Sequence, residues 1–299
     1  MASEISRQFA AVSDETKASP RRHLPTQFIA GRFGLYILVA IICLAQFFPI
    51  IWSLLTSFMT PQETLSIPAA LFPSSLNLTN YASVFNSDIG RYYLNSVIVS
   101  IVSATITMTL ASLASYAFAR LKFRLKTLTL VFTLALSFFP PLAQVLPLYS
   151  LLNKAHLINT LWALIVPYSV LGLPLAVLIL TAFFRDIPGD LEEAAMVDGL
   201  TRFKAFYRII LPLSTPGFFT TFIIVFVANW NEFLFALNYT TANTYTLPVG
   251  IVEVSQTEFT TNFGVLSAAT TLAVVPLVIL ILLLERRIVS GLTSGAVKG

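Results

Sequence analysis

A chain of 299 residues in which 56% are hydrophobic and only 11% are charged falls outside the range of soluble domains, where roughly a quarter of residues carry charge. Its formal net charge of +4 does not describe a nucleic-acid surface, because the basic residues flank apolar runs instead of forming a patch. The single cysteine, Cys43, excludes an intrachain disulfide, and His23 and His156 alone leave no ligand set for a metal or a His-based triad.

The first 32 residues are polar, include Arg21, Arg22 and Arg32, and read as a flexible tail. The apolar run 33–58 that follows is longer than the roughly 7–15 residues of a secretory signal. At about 1.5 Å per residue it crosses a hydrocarbon core of about 30 Å with tilt, so it reads as an uncleaved first span. Five more runs, 93–119, 127–152, 157–184, 212–238 and 263–284, are long and nearly free of charge. With no water to satisfy backbone groups in lipid, each is most simply a transmembrane helix.

Sixteen of the 18 basic residues lie in the N-terminal tail, in 120–126, in 185–208 and after Glu285. The other connections hold only Arg91 and Lys154, and 239–262 holds none. The positive-inside rule therefore puts both termini in the cytoplasm and requires an even number of spans. The predicted fold is an all-α membrane protein of six transmembrane helices: a tail at 1–32, a membrane domain over 33–284 with a cytoplasmic loop at 185–211, and a C-terminal tail at 285–299. That loop is too short to hold a nucleotide-hydrolysing domain, and the chain has no phosphate-binding loop or Gly-rich dinucleotide turn. Any energy from nucleotide must come through another chain.

In the second run, Ser96, Ser100, Ser103, Thr107, Ala111 and Ser115 recur at helical steps. Such a stripe lets another helix approach closely, within this chain or on a partner. The third and fourth runs are interrupted by Pro140, Pro141, Pro147, Pro167, Gly172 and Pro174. Freed carbonyls there are tolerated only against protein or a water-filled cavity, which reads either as packing kinks or as the lining of a pathway. The outer loops 59–92 and 239–262 fit solvated linkers or docking surfaces equally. One acid lies well inside a span, Glu232, in the run Asn229, Trp230, Asn231, Glu232, Phe233. Insertion scales put a carboxylate at about 2.5–3.5 kcal/mol in the bilayer centre. Glu232 therefore serves a polar pathway or caps a neighbouring helix. With Gln144 at similar depth, Trp230 can stack on a sugar face while the amides of Gln144, Asn229 and Asn231 bond hydroxyls. A secondary transporter coupling ions through Glu232 is the alternative this acid raises.

The loop 191–212 reads LEEAAMVDGLTRFKAFYRIILP. Asp190 is placed to cap a short helix, Glu192 and Glu193 suit its positive end, and Leu191, Ala194 and Ala195 form a small apolar face. Gly199 permits a sharp turn. Phe203, Phe206, Tyr207, Ile210 and Leu211 then recur as an amphipathic second helix, with Arg202, Lys204 and Arg208 on its other positions. Pro212 ends that helix and opens the fifth span. The product is a two-helix element that either docks in a groove of another protein or rests on lipid headgroups.

The spacing of Glu193, Ala194 and Ala195, then Gly199, then Ile209, Leu211 and Pro212 resembles the EAA loop of permease subunits of bacterial ATP-binding-cassette importers. The tail at 291–299, Pro188, Trp230 to Phe233 and the region 153–168 are similar to the smaller maltose-type permease of the carbohydrate branch, so the resemblance covers about 33–299. It implies a subunit of the bacterial inner membrane that is not itself an enzyme and imports a mono-, di- or oligosaccharide or a related polyol or glycerol phosphate. It also implies a second homologous permease, two ATPase subunits that use ATP and Mg, an extracytoplasmic solute-binding protein, and no cofactor on this chain. By the same resemblance, Glu193 meets a basic residue of the ATPase. Glu192, Ala194, Ala195, Asp198, Gly199, Ile209, Leu211 and Pro212 complete the coupling element, and Ser294, Gly295 and Lys298 of the tail add contacts.

Overall fold

The structure is a computed structural model that describes residues 26–68, 70–256 and 260–296, with side chains between 34 and 283 within those limits. Among the described residues the regular structure is helical, with one isolated antiparallel bridge between Gln256 and Thr261. The chain divides into two compact units, Met1–Trp52 and Ser53–Gly299. Helix α1 (Thr26–Thr56) begins in the first and carries Pro49.

The second unit is organised around α4 (Ile89–Arg120), a 32-residue helix that at about 1.5 Å per residue is long enough to cross a bilayer and emerge from it. Against it pack α7 (Trp162–Leu171), α8 (Leu173–Asp186), α11 (Thr215–Trp230) and α13 (Leu247–Ser255). Helix α14 (Phe263–Ala296) lies on α11 and α13 and also meets α3 (Thr79–Phe85) and the single turn α2 (Pro61–Thr64). The small-residue stripe is turned inward within this chain: Ser96, Ser100, Ser103, Thr107, Ala111 and Ser115 are all buried. Thr107 donates to the Ser169 carbonyl at 2.9 Å and Ser115 to that of Val177 at 3.1 Å. Gly172 allows a close approach here, since a Cβ there would lie 3.2 Å from Thr107 Cγ2. Small side chains let backbones come near enough for hydroxyl-to-carbonyl bonds between helices.

Among the described residues, three helices are long and apolar enough to cross a membrane unaided, at 34–56, 89–120 and 263–283; counting bent pairs as one span each gives up to six. The interruptions expected at the prolines are bends. The third run breaks into α5 (Lys126–Leu136) and α6 (Pro141–Lys154), bent by 95°. Pro140 and Pro141 have no N–H to continue the ladder, and Gln144 Nε2 donates to the stranded Phe139 carbonyl at 2.9 Å. The fourth run bends by 44° between α7 and α8.

The fifth run does not begin at Pro212. That proline lies inside α10 (Arg202–Leu213), whose stretch Phe206–Ile210 is a π-turn with Leu211 N–H reaching back to the Phe206 carbonyl. The wider turn answers the steric conflict between a proline ring and the carbonyl four residues earlier. A 78° bend at Ser214 then starts α11, and a further break at 231–233 separates α11 from α12 (Leu234–Tyr239).

The loop 239–262 holds an unexpected element. Helix α13, with Pro248 in its first turn, buries Leu247 and Val249. It is too short to register as a span and too apolar to remain a linker. Ser96 Oγ of α4 accepts from Leu247 N–H at 2.7 Å, and Asn95 Nδ2 donates to the Asn243 and Tyr245 carbonyls at 3.3 and 2.9 Å. In the loop 59–92, Glu63 and Thr60 form a capping box, and Glu63 Oε1 also accepts from Ser74 N–H at 2.9 Å. The Ser74 side chain first, then the Thr60 and Ser74 backbone N–H groups, hold the pKa of the Glu63 carboxyl down to about 2 by hydrogen bonding to its charged form.

Candidate functional site

The loop 187–213 folds as the two-helix element its pattern predicts, with a different start. Helix α9 (Gly189–Val197) begins directly after extended Pro188, so Asp190 stands in the first turn, where its charge meets the helix dipole, and is not the cap. At its other end the Asp198, Gly199 and Leu200 amides bond the Ala194, Met196 and Ala195 carbonyls, the latter two forming a Schellman closure, and Gly199 has φ +85°. A Cβ at Gly199 would touch nothing within 4 Å, so the glycine is required by the backbone alone. Gly199→Val is expected to cost about 1–2 kcal/mol through left-handed strain, seen as a lower Tm in detergent. Gly199→Asn, which tolerates that conformation, should recover most of the loss.

Thr201 caps α10, its Oγ1 accepting from Lys204 N–H at 3.4 Å. Of the predicted apolar face of α10, Phe206 and Ile210 are buried, Leu211 is half-buried, and Phe203 and Tyr207 are exposed; Ile209, outside that face, is half-buried. Phe206 packs on Tyr116 and Phe184, with ring centroids 4.8 and 6.0 Å away. Pro212 is exposed in the last turn.

The acidic start of α9 is split. Glu193 and Ala194 are exposed, as is Asp198, whereas Glu192 and Ala195 are buried. Glu192 stands in the first turn with Asp190, but its side chain is turned inward. Its Oε1 accepts from Tyr116 Oη at 2.5 Å, and its Oε2 lies 3.4 Å from Arg120 Nε. Sequence reasoning passed over Tyr116 and took Arg120 only as an orienting charge. A tyrosine and an arginine four apart at the end of a long helix share one face, but nothing in the sequence pairs them with residue 192.

The second polar cluster lies at the break after α11. Glu232 is half-buried; its two oxygens accept from Phe235 N–H at 2.9 Å, Ala236 N–H at 3.2 Å and the Tyr168 hydroxyl. It caps α12 and ties it to α7. Trp230, read from sequence as a platform for a sugar, is 3% exposed and stacks on Phe226 at 5.8 Å with Tyr93 edge-on at 5.6 Å. Asn229 Nδ2 donates to Ser103 Oγ at 2.8 Å, and Asn231 Nδ2 donates to the Val227 carbonyl. Gln144 stands apart from these. It lines a largely apolar cavity of about 920 Å³ at the 95° bend, together with Phe139, Pro141, Pro147, Pro167 and Phe235. The clustered prolines therefore do surround a cavity. Ser294 and Gly295 fall where only the backbone of α14 is described, and Lys298 lies outside the described residues.

Comparison with known proteins gives concordant results. Residues 109–294 match the family described as binding-protein-dependent transport system inner membrane component. The chain is 40% identical over 276 residues to the sulfoquinovosyl glycerol transport system permease protein of Agrobacterium fabrum, covering 92% of this chain and 96% of that one. It is 41% identical over 267 residues to the trehalose/maltose transport system permease protein of Thermococcus litoralis, covering 88% and 94%. In fold it is similar to a chain of a bacterial ABC transporter that imports the acidic polysaccharide alginate, with a TM-score of 0.73 at 15% identity over 89% of this chain and 99% of that one.

Proposed function

This chain belongs to the family of binding-protein-dependent transport system inner membrane components, and from that premise we propose how it works. It is a transmembrane permease subunit of an ATP-driven sugar importer and works beside an extracytoplasmic binding protein. As a permease component it is not the catalytic subunit. In our reading the six candidate spans all cross the inner membrane, with both termini in the cytoplasm, in keeping with the distribution of basic residues. A second, homologous permease completes the pathway, and two ATPase subunits, using ATP and Mg, supply the energy.

The observation that carries this reading is the form of the 187–213 element. It places Glu193 and Ala194 on an exposed short helix, fixes where that helix ends through Gly199, and roots its inner side on α4. Asp198 stands exposed at its end, while Ile209, Leu211 and Pro212 connect it to α11. The element docks on the ATPase, and closure of the ATPases on ATP moves it and rocks the bundle. Ser294, Gly295 and Lys298 extend the same contact from the tail. On the solute side, the cavity beside Gln144 and the break at Asn229, Asn231 and Glu232 line this chain's half of the pathway, with buried Trp230 as their footing.

Glu232 carries no coupled ion in this account, since its oxygens already cap a helix and hold Tyr168. Reconstitution of the whole complex in vesicles tests the reading. Sugar uptake should require internal ATP and survive a protonophore; uptake that needs no ATP and collapses with the protonophore would overturn it.

A further inference from the structure

Glu192 turns inward while Asp190, Glu193 and Asp198 of the same element stay exposed. Its partners join three points of the element to one end of one helix. At the entrance, Arg120 Nη2 donates to the Ile187 carbonyl at 2.6 Å, immediately before α9 begins. In the middle, Glu192 takes the Tyr116 hydroxyl at 2.5 Å and faces Arg120 Nε at 3.4 Å, an ion pair whose side chains are 9% and 14% exposed. At the exit, Tyr116 Oη lies 3.5 Å from the Arg202 carbonyl, and its ring rests on Phe206.

We propose that Tyr116, Arg120 and Glu192 form a clamp that turns movement of the docked element into movement of α4, with Glu192 a positioning residue and not a contact to the ATPase. Beyond Glu192, α9 buries only the apolar Ala195 and half-buries Met196. A small apolar contact is non-directional and allows the short helix to slide or rotate. A charge-assisted bond to a carboxylate is directional, and inside protein it is costly to break. A push on the exposed face of α9 is therefore delivered to the end of α4 without slipping. The far end of α4 holds the 243–247 segment through Asn95 and Ser96, so one helix links the two loops.

This inference rests on the importer reading, and its test separates the two. Tyr116→Phe and Glu192→Gln preserve shape; the assembled complex carrying each is reconstituted, and ATP hydrolysis, uptake of the transported sugar and the amount of co-purified ATPase are measured. Tyr116→Phe loses a hydrogen bond to a charged group and Glu192→Gln loses the charge that strengthens it, and either is expected to lower uptake by about tenfold. ATPase content should be unchanged and hydrolysis within about twofold of wild type, so that ATP spent per sugar rises about tenfold. A merely structural role would lower hydrolysis and uptake in step and leave that ratio fixed, which would overturn the clamp, as would normal uptake in both variants. Wild-type uptake that ignores ATP would instead overturn the importer reading beneath it.

Discussion

Glu193→Ala is expected to lower ATP-driven uptake by about thirtyfold or more while the subunit inserts and folds normally. Glu193 is exposed on α9, so its removal creates no cavity in this chain and strands no buried partner of the kind that makes core mutations costly. If it pairs with a cation of the ATPase in a desolvated interface, truncation costs about 2–5 kcal/mol, and the lower figure already corresponds to about thirtyfold. Co-purification of the ATPase should fall with uptake. This pattern is opposite to that expected of Glu192→Gln, in which the ATPase stays bound and the yield of sugar per ATP drops. Adjacent glutamates with opposite signatures would separate docking from transmission.

The other large effect lies at the far end of α4. Gly250 is buried in α13, and a Cβ there would stand 2.0 Å from Cδ2 and 2.9 Å from Cβ of Tyr92. Tyr92 is 3% exposed and meets Tyr245 edge-on at 5.9 Å. Because Tyr92 Cβ is itself in the way, rotating the ring does not clear the space, and α4 and α13 must move apart. Overpacking of this kind costs about 1–3 kcal/mol. Gly250→Val should therefore lower the Tm and the folded yield more than Gly250→Ala, and Tyr92→Ala in the same chain should restore part of the loss. An unchanged melting curve for Gly250→Val would contradict the contact.

The helical class was legible because lipid leaves few ways to satisfy a backbone, so an uncharged run such as 93–119 has little choice but helix. The stripe from Ser96 to Ser115 was legible as a packing face, but whether it met this chain or another was not, since a small residue shows closeness and not the neighbour's identity. Pro140 and Pro141 announced a break; the 95° turn depended on what could support the stranded carbonyl, and Gln144 supplies that from the next helix. Helix α13 was lost inside a loop because a nine-residue run is shorter than a span and its cap comes from Ser96, about 150 residues earlier in sequence. In the site, the spacing from Glu193 to Gly199 was readable because local backbone rules demand the glycine. The partners of Glu192 were not, since long-range polar pairs leave no periodic trace.

The most direct test of the account asks what the exposed face of α9 touches. With Cys43→Ser removing the native thiol, Ala194→Cys places a reactive group beside Glu193, and Ala195→Cys places one on the buried side, where the residue is 5% exposed. A short thiol-directed photo-crosslinker attached in the assembled, transport-competent complex should join the ATPase subunit from Ala194→Cys and yield little from Ala195→Cys. Adducts of Ala194→Cys with lipid alone, in a complex that still imports sugar, would contradict the claim that this element is where the subunit receives its force.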